Sequence, residues 1–261
     1  GNLLLVFDQS GSMLEPWTTG GNKLTAAQMA IQNAITALKD QLTVGALFFP
    51  TYACIPALPP PPGGAVTPIE GEGQIPFQPA DQFLTAWNQH WMLPGIGLGI
   101  GTPMNEAFDR ADVAIKNAKL TGNIAVVAVT DGQPNCLPDP ALTMTPTMPE
   151  PMRAASWLAS NNIKTYVVGL PGAQGVQILN DVAMSGGTMT YIIPDDPKML
   201  EAKLKEVISE TVKTGFDSCS ITLTPAADPV DKLLMVVEEN GKRSRVERVF
   251  GNDGGWSVSP D

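Results

Sequence analysis

The sequence predicts an α/β fold with a doubly wound, mostly parallel sheet flanked by helices. Residues 3–7 and 123–130 are nearly continuous apolar runs, as expected of short strands that are covered on both faces of a parallel sheet. Segments in which apolar residues recur at helical spacing, beginning with residues 23–39, separate the predicted strands. A strand, a helix and a second strand in this order form a right-handed βαβ unit, and repeated units build such a sheet.

Strands and helices alternate along the first 213 residues. Strands are predicted at residues 3–7, 44–49, 123–130, 163–169 and 188–193. Helices are predicted at residues 23–39, 81–91, 103–119, 150–160, 174–184 and 196–212. Thr102 is predicted to cap the third helix, with Pro103 at its first helical position. Residues 50–80 are rich in proline and glycine, which predicts a long surface loop with one short edge strand near residues 66–69.

The residues after 213 have a different pattern. Short strands are predicted at residues 220–224, 233–238 and 245–250, and Asn240-Gly241 is typical of a hairpin turn. We therefore expect two regions, a main domain at residues 1–213 and a small β-rich extension at residues 214–261. Because the chain begins directly on a strand and the extension stops early, we expect a trimmed or mature piece of a longer protein.

Composition and charge narrow the classes of function. Hydrophobic residues make up 43% of the 261 residues and charged residues 16%, which is typical of a globular protein rather than a disordered one. The formal net charge of -10 repels nucleic acid and anionic membranes and attracts divalent cations. An ordinary acidic secreted protein has the same charge, so the charge alone defines no function. No run of 18 or more apolar residues predicts a membrane span.

The three cysteines, Cys54, Cys136 and Cys219, lie in proline-rich or polar segments that are predicted to be loops. Such positions favour disulfides and an oxidising compartment, so we expect an extracellular, cell-surface or periplasmic location. The loops of Cys54 and Cys136 both follow strands at the same carboxyl edge of the predicted sheet, which favours a disulfide between these two residues. The odd count then leaves Cys219 without a partner in this chain.

Two predicted strands end in an aspartate, Asp8 and Asp131. If these strands are neighbours at the point where the strand order reverses, both carboxylates face the crevice in which open α/β sheets bind ligands. Ser10 and Ser12 add two hydroxyls in the first loop, and Thr102 adds a third at the start of a helix. Each feature taken alone is also explained by a simple turn or a helix cap.

Carboxylates and hydroxyls are hard oxygen donors. Together these five side chains suit Mg²⁺, with Mn²⁺ or Ca²⁺ as alternatives. Because the hydroxyls are uncharged, they leave a bound cation electrophilic. An open coordination position on that cation would then attract a carboxylate from a partner protein.

The segment Asp8-Gln9-Ser10-Gly11-Ser12, followed downstream by Gly101-Thr102-Pro103 and by Val129-Thr130-Asp131-Gly132, resembles the von Willebrand factor type A (VWA) domain. The resemblance covers about residues 1–213. It implies a metal-ion-dependent adhesion site (MIDAS), in which Ser10, Ser12 and Thr102 contact the metal while Asp8 and Asp131 act directly or through water. The proline-rich loops and the β extension are similar to those of secreted bacterial, especially myxobacterial, members.

The sequence departs from one part of the family pattern. Integrin-type members carry an aspartate pair just after the first loop, where this sequence has Met13, Leu14 and Glu15. The resemblance therefore does not extend to a second, adjacent metal site. Trp17 follows closely along the chain, and we expect it to flank a bound ligand.

Three classes of function follow. The first hypothesis is a non-enzymatic, divalent-metal-dependent adhesion or protein-binding module that grips an acidic group of a partner. The alternative is a structural subunit of a larger extracellular or surface assembly, in which the domain docks without metal. A metal-assisted hydrolase ranks below both, because the only histidine, His90, lies between aromatic residues near a predicted helix end rather than beside Ser10 or Ser12.

Overall fold

The computed structural model describes residues 1–17, 21–50, 73–92, 101–135, 148–213, 235–239 and 242–246. All three cysteines lie outside these ranges, so the Cys54–Cys136 disulfide and the unpaired Cys219 stay predictions. The strands predicted at residues 66–69 and 220–224 also lie outside the described residues. The chain divides into two units, Gly1–Asp217 and Ser218–Asp261.

Most strands and helices of the first unit lie where the sequence predicts them. The strands are β1 (Asn2–Asp8), β2 (Thr43–Phe49), β3 (Gln74–Pro79), β4 (Ile124–Thr130) and β5 (Lys164–Gly169). The helices are α1 (Lys23–Thr36), α2 (Ala80–His90), α3 (Met104–Ala118), α4 (Glu150–Asn161), α5 (Gln177–Ser185) and α6 (Pro197–Lys213). Short 3-10 turns cover Gly11–Leu14 and Lys39–Gln41. In the described part of the chain, no helix is both long enough and apolar enough to cross a membrane.

The five strands form one sheet in the order β3-β2-β1-β4-β5. β1 pairs in parallel with β2 and with β4, and β4 pairs in parallel with β5. β3 pairs antiparallel with β2 at the edge of the sheet. The chain leaves β1 towards one side for β2 and later returns to the other side for β4, so the strand order reverses at β1. The predicted doubly wound, mostly parallel sheet is therefore confirmed.

Helices cover both faces of this sheet. α1, α2 and α6 pack on the face that carries Leu3, Leu5 and Phe7. α3, α4 and α5 pack on the face that carries Leu4 and Val6. Successive residues of β1 therefore contact opposite helical layers, and every residue of the strand is buried. This double cover is the reason why the central strand shows no alternation of polar and apolar residues.

Local side-chain chemistry sets the ends of several helices. Asn22 caps α1, where its side-chain oxygen accepts a hydrogen bond from the backbone nitrogen of Thr25 at 2.8 Å. Asn162 ends α4 in the left-handed region, at a φ of 52°. Asparagine adopts this conformation more readily than most residues, so the sequence itself provides the stop.

β3 lies in a segment that the sequence predicts to be mainly loop. Its two prolines, Pro76 and Pro79, argue against a strand because proline cannot donate a hydrogen bond to a ladder. At the edge of a sheet one side of the strand needs no partner, so the prolines are tolerated. The prediction of a loop over residues 73–79 is therefore wrong.

Two further local predictions need correction. α3 begins at Met104 with Pro103 at the cap position, so Thr102 lies one residue outside the cap that the sequence predicts for it. Residues 188–193 do not form the predicted strand. They make one isolated parallel bridge, from Ile192 to Val168, beside the edge strand β5.

The described residues of the second unit form an antiparallel pair. Its strands are β6 (Met235–Glu239) and β7 (Lys242–Val246). They flank Asn240-Gly241, the dipeptide that predicts a hairpin at this position. The pair overlaps the predicted strands at residues 233–238 and 245–250.

Candidate metal site

β1 and β4 lie side by side at the centre of the sheet, where the strand order reverses. Phe7 is in register with Val129, so the next residues of both strands reach the same edge of the sheet. This places Asp8 and Asp131 on neighbouring strand ends, at the point where open α/β sheets form a ligand crevice.

Asp8 is fully buried and hydrogen-bonded through both carboxyl oxygens. Its Oδ1 accepts a hydrogen bond from the backbone nitrogen of Ser10 at 2.8 Å, and its Oδ2 accepts one from Thr130 Oγ1 at 2.6 Å. Burial raises the pKa of Asp8 to about 6, although these two hydrogen bonds oppose the shift and the charge of Asp131 adds to it. A cation beside Asp8 would favour its ionised form.

A chain of oxygen atoms runs from the first loop to Asp131. Ser10 Oγ lies 3.0 Å from Ser12 Oγ, and Ser12 Oγ donates a hydrogen bond to Asp131 Oδ1 at 2.8 Å. Ser10 and Asp131 are buried, whereas Ser12 is exposed. The oxygen chain therefore begins inside the protein and reaches the surface at Ser12.

The spacing of these oxygen atoms fits an octahedral cation. Two neighbouring ligands that each lie about 2.1 Å from Mg²⁺ at right angles are about 3.0 Å apart. The Ser10–Ser12 and Ser12–Asp131 oxygen distances, 3.0 and 2.8 Å, are ordinary hydrogen-bond lengths that are also close to this value. Among the described residues no three His, Cys, Asp or Glu side chains cluster, so a divalent cation here depends on hydroxyl oxygens as well as carboxylates.

Thr102 lines the same cleft as Ser12 of the first loop. It is buried, and its backbone nitrogen donates a hydrogen bond to Asn135 Oδ1 at 2.8 Å. A Cβ placed on Gly132 would lie 4.0 Å from Thr102 Oγ1, so this hydroxyl faces the segment that follows Asp131. All five predicted ligands thus lie at one edge of the sheet.

An open cleft of about 590 Å³ gives access to this edge. Its lining includes Ser12, Thr102 and Asp131 from the predicted ligand set, together with Lys23 and Asn135. The exposed side of the site is therefore polar and wide enough to admit a side chain of another protein.

Lys23 is a site residue that the sequence analysis missed. Its Nζ donates hydrogen bonds to Asp131 Oδ2 and to Glu15 Oε2, both at 2.8 Å. The side chains of Lys23 and Asp131 are 5% and 1% exposed, while that of Glu15 is 64% exposed. Burial lowers the pKa of Lys23, but the hydrogen bonds and charges of Asp131 and Glu15 outweigh it and raise the pKa above its usual value.

The position of Lys23 at the start of α1 is unusual for a buried lysine. Lys23 is the first residue of α1, where the helix dipole is positive and disfavours a cation. A buried lysine at that position needs carboxylate partners, and Glu15 with Asp131 provides them.

His90 is buried in an aromatic cluster rather than placed beside the serines. Its ring stacks on Phe48 with ring centroids 3.6 Å apart, and its Nε2 lies 3.0 Å from Gln9 Oε1. The Gln9 amide nitrogen donates to Pro50 O at 3.0 Å, so Gln9 Oε1 is free to accept and His90 Nε2 carries the proton. Burial lowers the pKa of His90 to about 4.

Trp17 does not flank the cleft in the way that the sequence suggested. It is 5% exposed and packs in the hydrophobic layer formed by the sheet face that carries α1, α2 and α6. Trp17 follows the first loop closely along the chain, but burial of its large apolar side chain is more favourable than exposure at the cleft.

No family model and no curated protein matches the chain. Among solved structures, the chain is similar to the PilB minor pilin from Streptococcus sanguinis, with a TM-score of 0.61 and 13% identity over 84% of this chain and 63% of PilB. It is also similar to the pilus adhesin SpaC from Lactobacillus rhamnosus GG, with a TM-score of 0.56 and 15% identity over 94% of this chain and 37% of SpaC.

A third similar structure is the vWF domain of the type V pili tip protein Mfa5 from Porphyromonas gingivalis. The TM-score is 0.54 and the identity 11%, over 85% of this chain and 97% of that domain. The chain spans less than two thirds of the SpaC and PilB structures. At these identities the likeness concerns the fold alone, and the first unit has a VWA-like fold.

Proposed function

We propose that the first unit is a divalent-metal-dependent adhesion module. The observation that carries the proposal is the oxygen chain from Ser10 through Ser12 to Asp131, spaced like the edges of an octahedron and open to the cleft at Ser12. The hydroxyls of Ser10, Ser12 and Thr102 would contact the metal, and Asp8 and Asp131 would balance its charge directly or through water. Mg²⁺ is the expected ion, with Mn²⁺ or Ca²⁺ as alternatives.

The metal would supply a concentrated positive charge at the floor of the cleft. Because the hydroxyl ligands are neutral, much of that charge would remain available to a carboxylate from a partner protein. Asp8 and Ser10 are buried, and Asp8 is hydrogen-bonded to Thr130 of β4 and to the backbone of Ser10, so both residues would hold the cation in a fixed place. The exposed Ser12 marks the side from which a carboxylate would approach.

The solved structures with the same fold support a location outside the cytoplasm. They include a pilus adhesin, a minor pilin and a pilus tip protein. We therefore propose an extracellular or surface role, with a partner that is either a protein offering a carboxylate or another subunit of a surface assembly. In the alternative function, the domain is a structural subunit that docks without metal.

The arrangement of the serines and the histidine does not favour a hydrolase function. The single histidine of the chain contacts Gln9 and Phe48, and its ring is buried in the aromatic cluster. Ser10 and Ser12 instead contact each other and Asp131. A serine nucleophile would need a base that can take its proton, and His90 is not placed to do so.

The proposal is tested by calorimetric titration of the wild type with Mg²⁺, Mn²⁺ and Ca²⁺. We expect one site, and we expect Asp8→Asn to weaken binding by more than about tenfold, because it removes a buried charge next to the cation. Asp81→Asn is the control, because Asp81 is exposed and lies in the first turn of α2. Its neighbour Ala80 donates its backbone nitrogen to Leu42 O, at the end of the parallel strands opposite Asp8.

A second experiment separates the two candidate functions. Immobilised wild type and Asp8→Asn would be compared for partner capture from the native source, each with and without a chelator. Capture that needs both metal and Asp8 supports the adhesion module. Capture that persists in the chelator supports the structural subunit, and a wild type that binds no divalent ion contradicts the metal-dependent function.

A further inference from the structure

A lysine ammonium already occupies one side of the carboxylate that the proposed metal site would use. Asp131 presents Oδ1 to Ser12 and Oδ2 to Lys23 Nζ, each at 2.8 Å. The carboxylate is therefore shared between the hydroxyl chain and a fixed internal cation. A dication held by Ser12 would have this ammonium on the far side of the same carboxylate.

The ammonium is fixed in place by its surroundings. Lys23 is the first residue of α1, and its backbone nitrogen donates to Glu15 O at 3.1 Å, while Nζ donates to Glu15 Oε2. Gly172 closes the other side, since a Cβ there would lie 3.6 Å from Lys23 Nζ and 2.6 Å from Asp131 O. With its side chain only 5% exposed, Lys23 has little room to move away.

The ammonium of Lys23 reduces the net negative charge of the proposed metal site. In the buried part of the site, the ammonium of Lys23 offsets one of the two carboxylates, Asp8 and Asp131. The attraction for a divalent cation is then weaker than two free carboxylates would provide. The same ion pair satisfies Asp131 when no metal is bound, so the site does not depend on metal to stay assembled.

We propose that Lys23 is an internal counter-ion that keeps this site assembled without metal and lowers its affinity for divalent cations. Lys23 is a positioning residue, acting through Asp131 rather than on the ligand. The inference rests on the proposed metal site. It adds that the site is tuned towards weak, reversible occupancy, in which the cation competes with a resident positive charge.

The test is a calorimetric titration with Mn²⁺ alone on four proteins: wild type, Lys23→Met, Lys23→Arg and Lys39→Met. We expect Lys23→Met to bind about tenfold more tightly or better, because repulsion over a few ångströms reaches that size even in a water-like dielectric. Lys23→Arg keeps the charge and should stay close to the wild type. Lys39→Met makes the same change in an exposed ion pair with Asp81, and should also match the wild type.

A thermal measurement provides a readout that does not depend on the titration. Without metal, Lys23→Met should have a lower Tm than Lys39→Met, because Asp131 loses its buried partner. Saturating Mn²⁺ should raise the Tm of Lys23→Met by more than it raises that of the wild type. A variant that folds only with Mn²⁺ would support the proposal, and one that stays unfolded with and without Mn²⁺ would contradict it.

The outcomes separate this inference from the proposed function. If the wild type binds Mn²⁺ and Lys23→Met binds no more tightly, the role of Lys23 is refuted and the metal site stands. If only Lys23→Met binds, the inference holds while the metal-dependent function of the wild type fails. If neither protein binds Mn²⁺, both are refuted.

Discussion

Thr130 donates its side-chain hydroxyl to the buried carboxylate of Asp8, with 2.6 Å between Thr130 Oγ1 and Asp8 Oδ2. Thr130 is the last residue of β4 and Asp8 the last residue of β1, so this hydrogen bond joins the two central strands where they leave the sheet. It stabilises a carboxylate that has no access to water, and it fixes the side of Asp8 that faces away from Ser10.

Removing this donor should destabilise the protein. At pH 8, where Asp8 is ionised, we expect Thr130→Val to lower the free energy of unfolding by about 1–3 kcal/mol, because a buried charged acceptor loses its partner. Urea denaturation measures the change. Thr165→Val is the matched control, since Thr165 Oγ1 is buried without a hydrogen-bond partner and its replacement by a methyl group should leave the stability unchanged or raise it. Equal effects in the two variants would refute this role of Thr130.

The hydroxyl of Ser12 should matter more for metal binding than for folding. Ser12 is exposed and lies between Ser10 and Asp131, so Ser12→Ala removes a proposed ligand without leaving a cavity. We expect the affinity for Mg²⁺ to fall by more than about tenfold, a loss that even groups outside the ligand shell can cause. Calorimetry gives the affinity and urea denaturation the stability. Ser160→Ala, on the exposed surface of α4, should leave both unchanged.

His90 should remain uncharged far below its ordinary pKa. Its pKa is lowered from 6.5 to about 4, so the folded protein binds fewer protons than the unfolded chain between these values. The neutral ring of His90 therefore makes its full contribution to the free energy of unfolding above pH 6.5. As the pH falls from 6.5 towards 4, this contribution decreases by roughly 3 kcal/mol in total.

A nuclear magnetic resonance titration tests this prediction directly. Because His90 is the only histidine, its imidazole resonances need no assignment by mutation. In the folded protein they should stay at their neutral position down to about pH 5. The same resonances in urea serve as the control and should titrate near 6.5. A folded-state midpoint near 6.5 would show that the ring is not enclosed in the way described.

Gly172 should tolerate no side chain. Its φ is 113°, and a Cβ at this position would lie 2.6 Å from the backbone oxygen of Asp131. We expect Gly172→Ala to lower the free energy of unfolding by at least about 2 kcal/mol, from backbone strain and from displacement of Asp131. Gly175 provides the comparison, since its φ is 76° and no atom lies within 4 Å of the added Cβ. Gly175→Ala should show the strain alone, about 1 kcal/mol.

The five proposed ligands were predictable because they depend on short-range patterns. An apolar run that stops at an aspartate marks a strand end, and parallel strands bring such ends to one edge of a sheet. Asp8, Ser10, Ser12, Thr102 and Asp131 follow from that rule and from the family resemblance. Metal binding by these residues is tested by the calorimetric titrations of the wild type, Asp8→Asn and Ser12→Ala.

Other features required the folded chain. β3 was hidden by its prolines, which only an edge position makes acceptable. Trp17 was expected to flank a ligand but is buried against the apolar face of the sheet that carries α1, α2 and α6. Its place in the sequence, close to the first loop, does not indicate this packing.

The fold class, the positions of most strands and helices, and the edge at which the polar residues gather can all be predicted from the sequence. These properties follow from hydrophobic periodicity and from strand direction, both of which are local. The contact of Lys23 with Asp131, 108 residues away along the chain, becomes visible only in the folded protein. Periodicity assigns a residue to a face of its own element, but the ion pair depends on how the start of α1 is placed against the end of β4. The charge state of the site is therefore a property of packing.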